Sequence, residues 1–364
     1  VESLLERGVT VFSLNPKQLD RFRDRFSVAG AKDDRLDARV LASALRTDQP
    51  RFRRLAIDEP AVIQVRELTR AVAVLTEEFT ALTNRLRDLV HRIAPEWLTL
   101  SSNADDPWFW ALLERAAPPL EGRRLRRATV ERLLQSYRIR RVTPDEVVDV
   151  LERPPLRLAP GTGAAVRSHI ALLLPRVRLV HEQRRACEHD LERRLDDLTT
   201  SAGPADPGHP GVPVPSGASD PGDVAILRST PGIGTLVTAT LIAEAHALLA
   251  TRDYDALRAV TGVASVRRQT GLNKRGTVSM RYACNTRLRN ACYHWARVST
   301  CVDAAARTYY ATLRARGHSH GRALRSVADR WLRILIAMLK ARTLYDPTRL
   351  HDAPHDAPNL ASVS

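Results

Sequence analysis

Residues 61–93 carry the clearest alternation in the chain. Val65, Leu68, Val72, Leu75, Phe79, Leu82, Leu86, Leu89 and Ile93 recur at spacings of three and four with charged residues between them, which predicts a long amphipathic helix with a coiled-coil seam. Residues 164–198 repeat the pattern less regularly through Val166, Ile170, Leu173, Val177 and Val180, and Pro175 is expected to kink that second helix. Together the two predict an antiparallel hairpin whose seam serves either partner chains or the chain's own second helix. Between them, residues 97–163 read as short helices, ATVERLLQSYRI and TPDEVVDVLE, broken by pairs of prolines.

The pattern differs at both ends. VESLLERG reads as the end of an amphipathic helix and VTVFSL as a short buried strand closed by the turn NPK. Nothing else before residue 61 has strand character, whereas a strand after a helix normally has parallel neighbours on both sides. With Val1 in place of Met, the chain is expected to begin inside a domain. Residues 201–222, SAGPADPGHPGVPVPSGASDPG, hold too little apolar surface for a core and are expected to form a flexible linker. Beyond them, LRSTPGIGTLVTATLIAEA places Pro231, Gly232 and Gly234 at a tight turn that opens onto a helix. That is the layout of a helix-hairpin-helix, which grips phosphate through backbone amides and a helix N-terminus. An ordinary helix-turn-helix packing unit has the same pattern. The fold class is mostly α with a partial α/β part.

Composition narrows the function. A chain of 364 residues, 44% hydrophobic and 27% charged, can bury a core and divide into two or three domains. No apolar run approaches the roughly 20 residues of a membrane span, and the N-terminus lacks the order of a signal peptide, so a cytosolic protein with no membrane partner is expected. Cys187, Cys284, Cys292 and Cys301 show neither CxxC nor Cys/His ligand spacing, which argues against a zinc site and a disulfide framework and leaves them as packing residues. The formal charge of +15, with 52 of 56 basic residues being Arg, points to a polyanion, most often nucleic acid. Nine of those basic residues lie between Asp255 and Asp303, where there is no Asp or Glu. Within that stretch, RYACNTRLRNACYHWARVST sets Arg281, Arg287 and Arg289 beside apolar Leu288, Ala291, Cys292 and Trp295. Aromatic residues make up only 5% of the chain, so phosphate contact rather than base stacking is the expected main mode.

Metal-assisted chemistry at phosphorus needs anionic oxygen ligands, which this basic stretch lacks. The best source is AKDDRLDARVLASALR, where Asp34 and Asp37, three apart, share one face of a helix with Arg35 and Arg39 nearby. Acidic residues in a first helical turn also simply suit the helix dipole.

The blocks VFSLNPKQLDRFRDRFSVAGAKDDRLDARVLASALR, STPGIGTLVTATLIAEA, GVASVRRQTGLNKRG and ACNTRLRNACYHWA, in that order around the coiled-coil middle, resemble the insertion sequence 110 family of transposases, relatives of the Piv DNA invertases. The resemblance implies a recombinase with a RuvC-like (RNase H-type) domain carrying four metal-binding carboxylates, and a transposase domain carrying a serine that joins covalently to DNA. It implies magnesium as cofactor, DNA and a non-coding bridge RNA as partners, homodimers pairing into tetramers, and a bacterial, nucleoid-associated location. Asp34 and Asp37 match the last two carboxylates. The first Asp and the Glu would precede Val1, so a truncated remnant that binds nucleic acid and self-associates without catalysis is the alternative. Thr270, before Gly271, stands where the family has its serine, with Ser265 and Ser279 as neighbouring hydroxyls. Gly232, Gly234, Arg267, Arg268, Lys274, Arg275, Arg281, Arg287 and Arg289 are the expected nucleic-acid contacts. The implied organisation is a RuvC-like remnant (1–60), a coiled-coil and helical insertion (61–200), the linker (201–222), a helical transposase domain with the helix-hairpin-helix-like turn (223–345) and a flexible tail (346–364).

Overall fold

The structure, a computed structural model, describes residues 2–26, 33–55, 58–116, 125–153, 156–200, 221–268 and 277–350. Most of the expected linker and the tail beyond residue 350 lie outside the described residues. The chain divides into two compact units, Val1–Ile63 and Gln64–Ser364. It is mostly helical, and no helix among the described residues is long and apolar enough to cross a membrane.

In the first unit, α1 (Glu2–Glu6) leads through β1 (Phe12–Ser13) to α2 (Pro16–Arg23), α3 (Asp34–Asp48) and β2 (Arg53–Arg54). NPK is not a free turn but a helix start. The Asn15 side chain accepts from Lys17 N at 2.9 Å, and Pro16 occupies the first helical position, where its missing N–H costs nothing. β1 is not isolated: it pairs antiparallel with β2, Phe12 opposite Arg54 and Ser13 opposite Arg53. The pairing runs through backbone groups of two arginines, which no apolar alternation announces. α2 packs on α3, with Val40 and Ala44 buried and Phe22 edge-on to Phe52 at 6.1 Å.

The second unit is organised by two long helices, α4 (Pro60–Ile93, entering the unit at Gln64) and α8 (Thr162–Thr200). They run antiparallel, since Phe79 meets His181 while Val65 shares a core with Leu191 and Leu195. Pro175 does not interrupt α8. Between them lie α5 (Pro107–Ala116), α6 (Arg127–Ser136) and α7 (Pro144–Glu152). The seam residues Phe79, Leu82, Leu86, Leu89 and Ile93 are buried in a first core with Trp108, Phe109 and Trp110 of α5 and Ile170, Leu174 and Val177 of α8. That seam is therefore filled from within the chain.

A second core is built by α9 (Asp223–Ser229), α10 (Thr235–Ala250), α11 (Tyr254–Val260), α12 (Thr286–Val302), α13 (Ala304–Ala315) and α14 (His320–Ala341), together with the far end of α8. β3 (Val266–Arg268) and β4 (Thr277–Ser279) form an antiparallel ladder between α11 and α12. At the centre Trp295 stacks on Trp331 at 5.7 Å, and Trp331 Nε1 donates to the buried Ser299 hydroxyl at 2.9 Å. All four cysteines are free, and burial pushes the Cys292 thiol up to about 12.

Candidate nucleic-acid interface and carboxylate pair

The turn Thr230–Gly234 joins α9 to α10. Gly232 adopts φ +78°, and a Cβ placed there would lie 2.5 Å from Ser299 N and 2.8 Å from Ser299 Cα. Only glycine allows the turn to rest directly on the α12 backbone. Trp295 Nε1 donates to Pro231 O at 3.1 Å and fixes the same contact from the other side. Gly234 has open space around it and caps α10 without a side-chain bond. The two glycines differ in kind: Gly232 is a packing position, while Gly234 leaves the backbone at the start of α10 approachable.

The start of α12 is equally determined. Asn285 caps it by accepting from Arg287 N at 2.9 Å and Leu288 N at 3.3 Å, and its Nδ2 donates to Glu244 Oε2 at 2.9 Å. Glu244, at 10% side-chain exposure, also faces Arg70 of α4 at 3.5 Å. One carboxylate thus ties α4, α10 and α12 together. Its one signal in the sequence is that Glu244 is the lone acidic residue of the apolar run TLVTATLIAEAHALLA. Asn285 N donates to Val260 O at 2.8 Å, and Gly262, at φ +71°, leaves room for Cys284, whose Sγ would be 2.7 Å from a Cβ there. These contacts hold together the residues on either side of the β3–β4 hairpin, in the middle of the basic segment.

On this frame the apolar positions expected in α12, Leu288, Ala291, Cys292 and Trp295, are buried. Arg287 is exposed, whereas Arg289 and Arg281 are half-buried, the latter donating from Nε to Ala283 O at 3.2 Å. Arg267 and Arg268 lie in β3, opposite Val278 and Thr277 of β4. Ser265 is exposed, and Ser279 is half-buried with its hydroxyl 3.5 Å from Val266 O. Thr270, Lys274 and Arg275 lie between β3 and β4, outside the described residues. The low acidity extends further than the basic segment itself: from residue 256 to 328 Asp303 is the one carboxylate.

In the first unit, Asp33 caps α3 by accepting from Arg35 N, and Asp34 and Asp37 lie in its first turn. Asp34 is exposed. Asp37 is already engaged: its Oδ1 accepts from Arg23 Nε and lies 2.8 Å from a terminal nitrogen of the same guanidinium, which also reaches Asp20 at 2.7 Å. The chemistry of the pair, hard oxygen donors on one helix face, fits magnesium, which takes one or two carboxylates with water and substrate phosphate. Asp37 would have to exchange Arg23 for the ion. Among the described residues, no group of three or more His, Cys, Asp or Glu converges on such a site.

Comparison with known proteins bears on both units. A family model for IS110 transposases of the DEDD type, described as "Transposase", matches residues 1–95, and the model "Transposase IS116/IS110/IS902 family" matches residues 224–311. The chain is 28% identical over 319 residues to the uncharacterized 43.6 kDa protein of insertion element IS110 from Streptomyces coelicolor, covering 87% of this chain and 72% of that one. It is 29% identical over 345 residues, 93% of this chain and 78% of the relative, to the provisionally named mini-circle transposase for IS117 of the same organism. The provisionally named transposase y4uE of Sinorhizobium fredii is 48% identical over 141 residues, 39% of each chain.

Proposed function

Because this chain belongs to the IS110 family of transposases, we propose that it binds DNA and recombines it by cutting and rejoining strands through a protein hydroxyl. The observation that carries this reading is the ordered match of two family models, the second spanning the segment that holds nine basic residues and no carboxylate. In the reaction the Thr270 oxygen bonds to phosphorus, and the bond from phosphorus to one deoxyribose oxygen breaks. That oxygen leaves as a hydroxyl with the proton. Attack by a hydroxyl of another strand reverses the exchange and joins the new partner.

The arginines of β3 and α12, with Lys274 and Arg275, hold the scissile phosphate and balance charge developing on it. Gly234 lets backbone amides at the start of α10 approach a neighbouring phosphate. Asp34 and Asp37 would hold magnesium, which when bound supplies Lewis-acid stabilisation of the phosphoryl oxygens. Bridge RNA as guide and assembly into dimers and tetramers belong to the same reading. Support for self-association comes from Leu172 and Leu179 of α8, 74% and 54% exposed and seven residues apart on one helix line.

The test incubates the protein with magnesium, candidate guide RNA and suicide DNA substrates and scores a denaturation-resistant protein–DNA adduct. Loss of the adduct in Thr270→Ala but not in Ser265→Ala is the expected result. An unchanged adduct in both removes Thr270 as nucleophile, and DNA binding without any adduct makes the chain a binding protein only.

A further inference from the structure

Residues 304–328 hold five arginines and two histidines and no Asp or Glu, and they fold as α13, a tight turn and the start of α14. The turn is well bonded. Gly317, at φ +80°, reverses the chain, with Gly317 N donating to Arg314 O at 3.0 Å and His318 N to Leu313 O at 3.1 Å. Arg314 ties the turn from outside by donating from a terminal nitrogen to His318 O at 2.6 Å. Leu313 and Leu324 are buried. What faces solvent is cationic: Arg316, His320 and Arg322 are exposed, and nothing stands within 4 Å of where a Cβ would lie at Gly317 or Gly321.

Elsewhere in this unit carboxylates take the arginines up, Asp329 holding Arg258 and Asp223 holding both Arg252 and Arg342. Among the described residues Arg316 and Arg322 have no such partner. Both act on the His318 ring, which burial and then Arg322 and Arg316 hold below the ordinary histidine range, so the two guanidinia stand around one side chain. Like charges kept close without an anion repel, and a bound polyanion relieves that repulsion. The patch continues the start of α12. Tyr293 Oη lies 3.3 Å from His320 Nε2 and Tyr310 Oη 2.8 Å from Nδ1 of the same ring, so one histidine joins α12, α13 and α14. Arg289 precedes Tyr293 by one helical turn, about 6 Å along the axis. The second family model matches residues 224–311 and stops short of the turn. Duplex DNA fits the patch best among nucleic acids for two reasons. It carries one charge per about 1.7 Å of axis, against about 3.4 Å along one strand. The turn also lacks an open stacking face for single-stranded bases, since Tyr310 is half-buried and the Tyr293 ring packs edge-on with His320 at 6.3 Å.

We propose that the α13–α14 turn is a second contact with the backbone of duplex DNA, Arg316 and Arg322 each pairing with a phosphate of the duplex whose neighbouring phosphates meet Arg287 and Arg289. This rests on the reading of the chain as a DNA-binding transposase. It adds to that reading a surface outside the segment that holds the hydroxyl. Such phosphate contacts fix the register and orientation of the duplex and carry no sequence information themselves.

The full-length chain is titrated into a mixed-sequence DNA duplex at several salt concentrations, with fluorescence anisotropy as the signal. Arg316→Ala/Arg322→Ala should bind about tenfold more weakly at about 0.1 M salt and lower the slope of log K against log salt by about 2. Adding Arg287→Ala/Arg289→Ala should lower the slope by about 4 in total, since the two pairs meet different phosphates. Arg132→Ala/Arg140→Ala, an equal loss of charge at exposed positions of the helical insertion, should leave the slope unchanged. Thermal melting establishes that each variant is folded. Single-stranded DNA and duplex RNA are titrated in parallel, and a larger slope change on either than on duplex DNA overturns duplex DNA as the partner. A wild-type slope in folded Arg316→Ala/Arg322→Ala, or an equal drop in the Arg132→Ala/Arg140→Ala control, overturns the turn as a contact and leaves the proposed function standing. Failure of the wild-type chain to bind duplex DNA overturns both.

Discussion

Gly232 and Gly234 sit two residues apart in one turn, yet they answer to different forces. At Gly232 an added methyl meets the α12 backbone at 2.5 Å while φ is +78°, so Gly232→Ala is expected to lose about 2–4 kcal/mol in urea unfolding. At Gly234 nothing stands within 4 Å and the backbone is extended, so Gly234→Ala should unfold within about 1 kcal/mol of wild type. Equal losses would contradict the packing account. His181 supplies a pH signature. Burial, then Arg184 and Arg185, lower its pKa from the usual 6.5, so the fold favours the neutral ring, and the unfolded chain takes up a proton first as pH falls. Its contribution is fully present above pH 6.5 and is lost as the pH drops toward the folded value. Melting temperatures should therefore fall between about pH 7 and 5.5, and His181→Asn should flatten that fall. His318, lowered by burial and by Arg322 and Arg316, contributes in the same direction. A slope unchanged by the substitution would show that His181 is not the group responsible.

Among the elements, α12 is the most instructive. Its cap is a single side chain, Asn285, which also bonds Glu244. Asn285→Ala should cost about 1–2 kcal/mol and lower DNA affinity by loosening the frame of the basic segment, readable as a shift in urea midpoint together with a weaker binding isotherm. The apolar face of α12 was legible in the sequence because Leu288, Ala291, Cys292 and Trp295 keep helical spacing. α4 and α8 were legible for the same reason. α5 was not: Trp108, Phe109, Trp110, Ala111, Leu112 and Leu113 are buried all round the helix, so no periodicity marks it. β2 was missed because two arginines pair through their backbone alone. The carboxylate pair was legible as a helix face, but its partner Arg23, fourteen positions before Asp37, comes close only when α2 folds onto α3.

For the whole molecule, the sequence shows the sign of the charge but not where the charge is neutralised. Arg252 and Arg342 converge on Asp223, and Arg258 on Asp329, so part of the positive excess is structural. Arg287 is exposed and Arg289 half-buried at the start of α12, and together they are expected to contact phosphate. Replacing both with Ala should weaken duplex binding about equally across sequences and lower the salt slope by about 2. A sequence-selective loss would point to base contacts instead. The proposed exchange of phosphoester bonds with DNA takes place on a hydroxyl between β3 and β4. Its most direct measurement is tandem mass spectrometry of the adduct trapped on a suicide substrate after nuclease digestion. A nucleotide remnant on Thr270 is expected; a remnant on any other residue rules Thr270 out as the nucleophile.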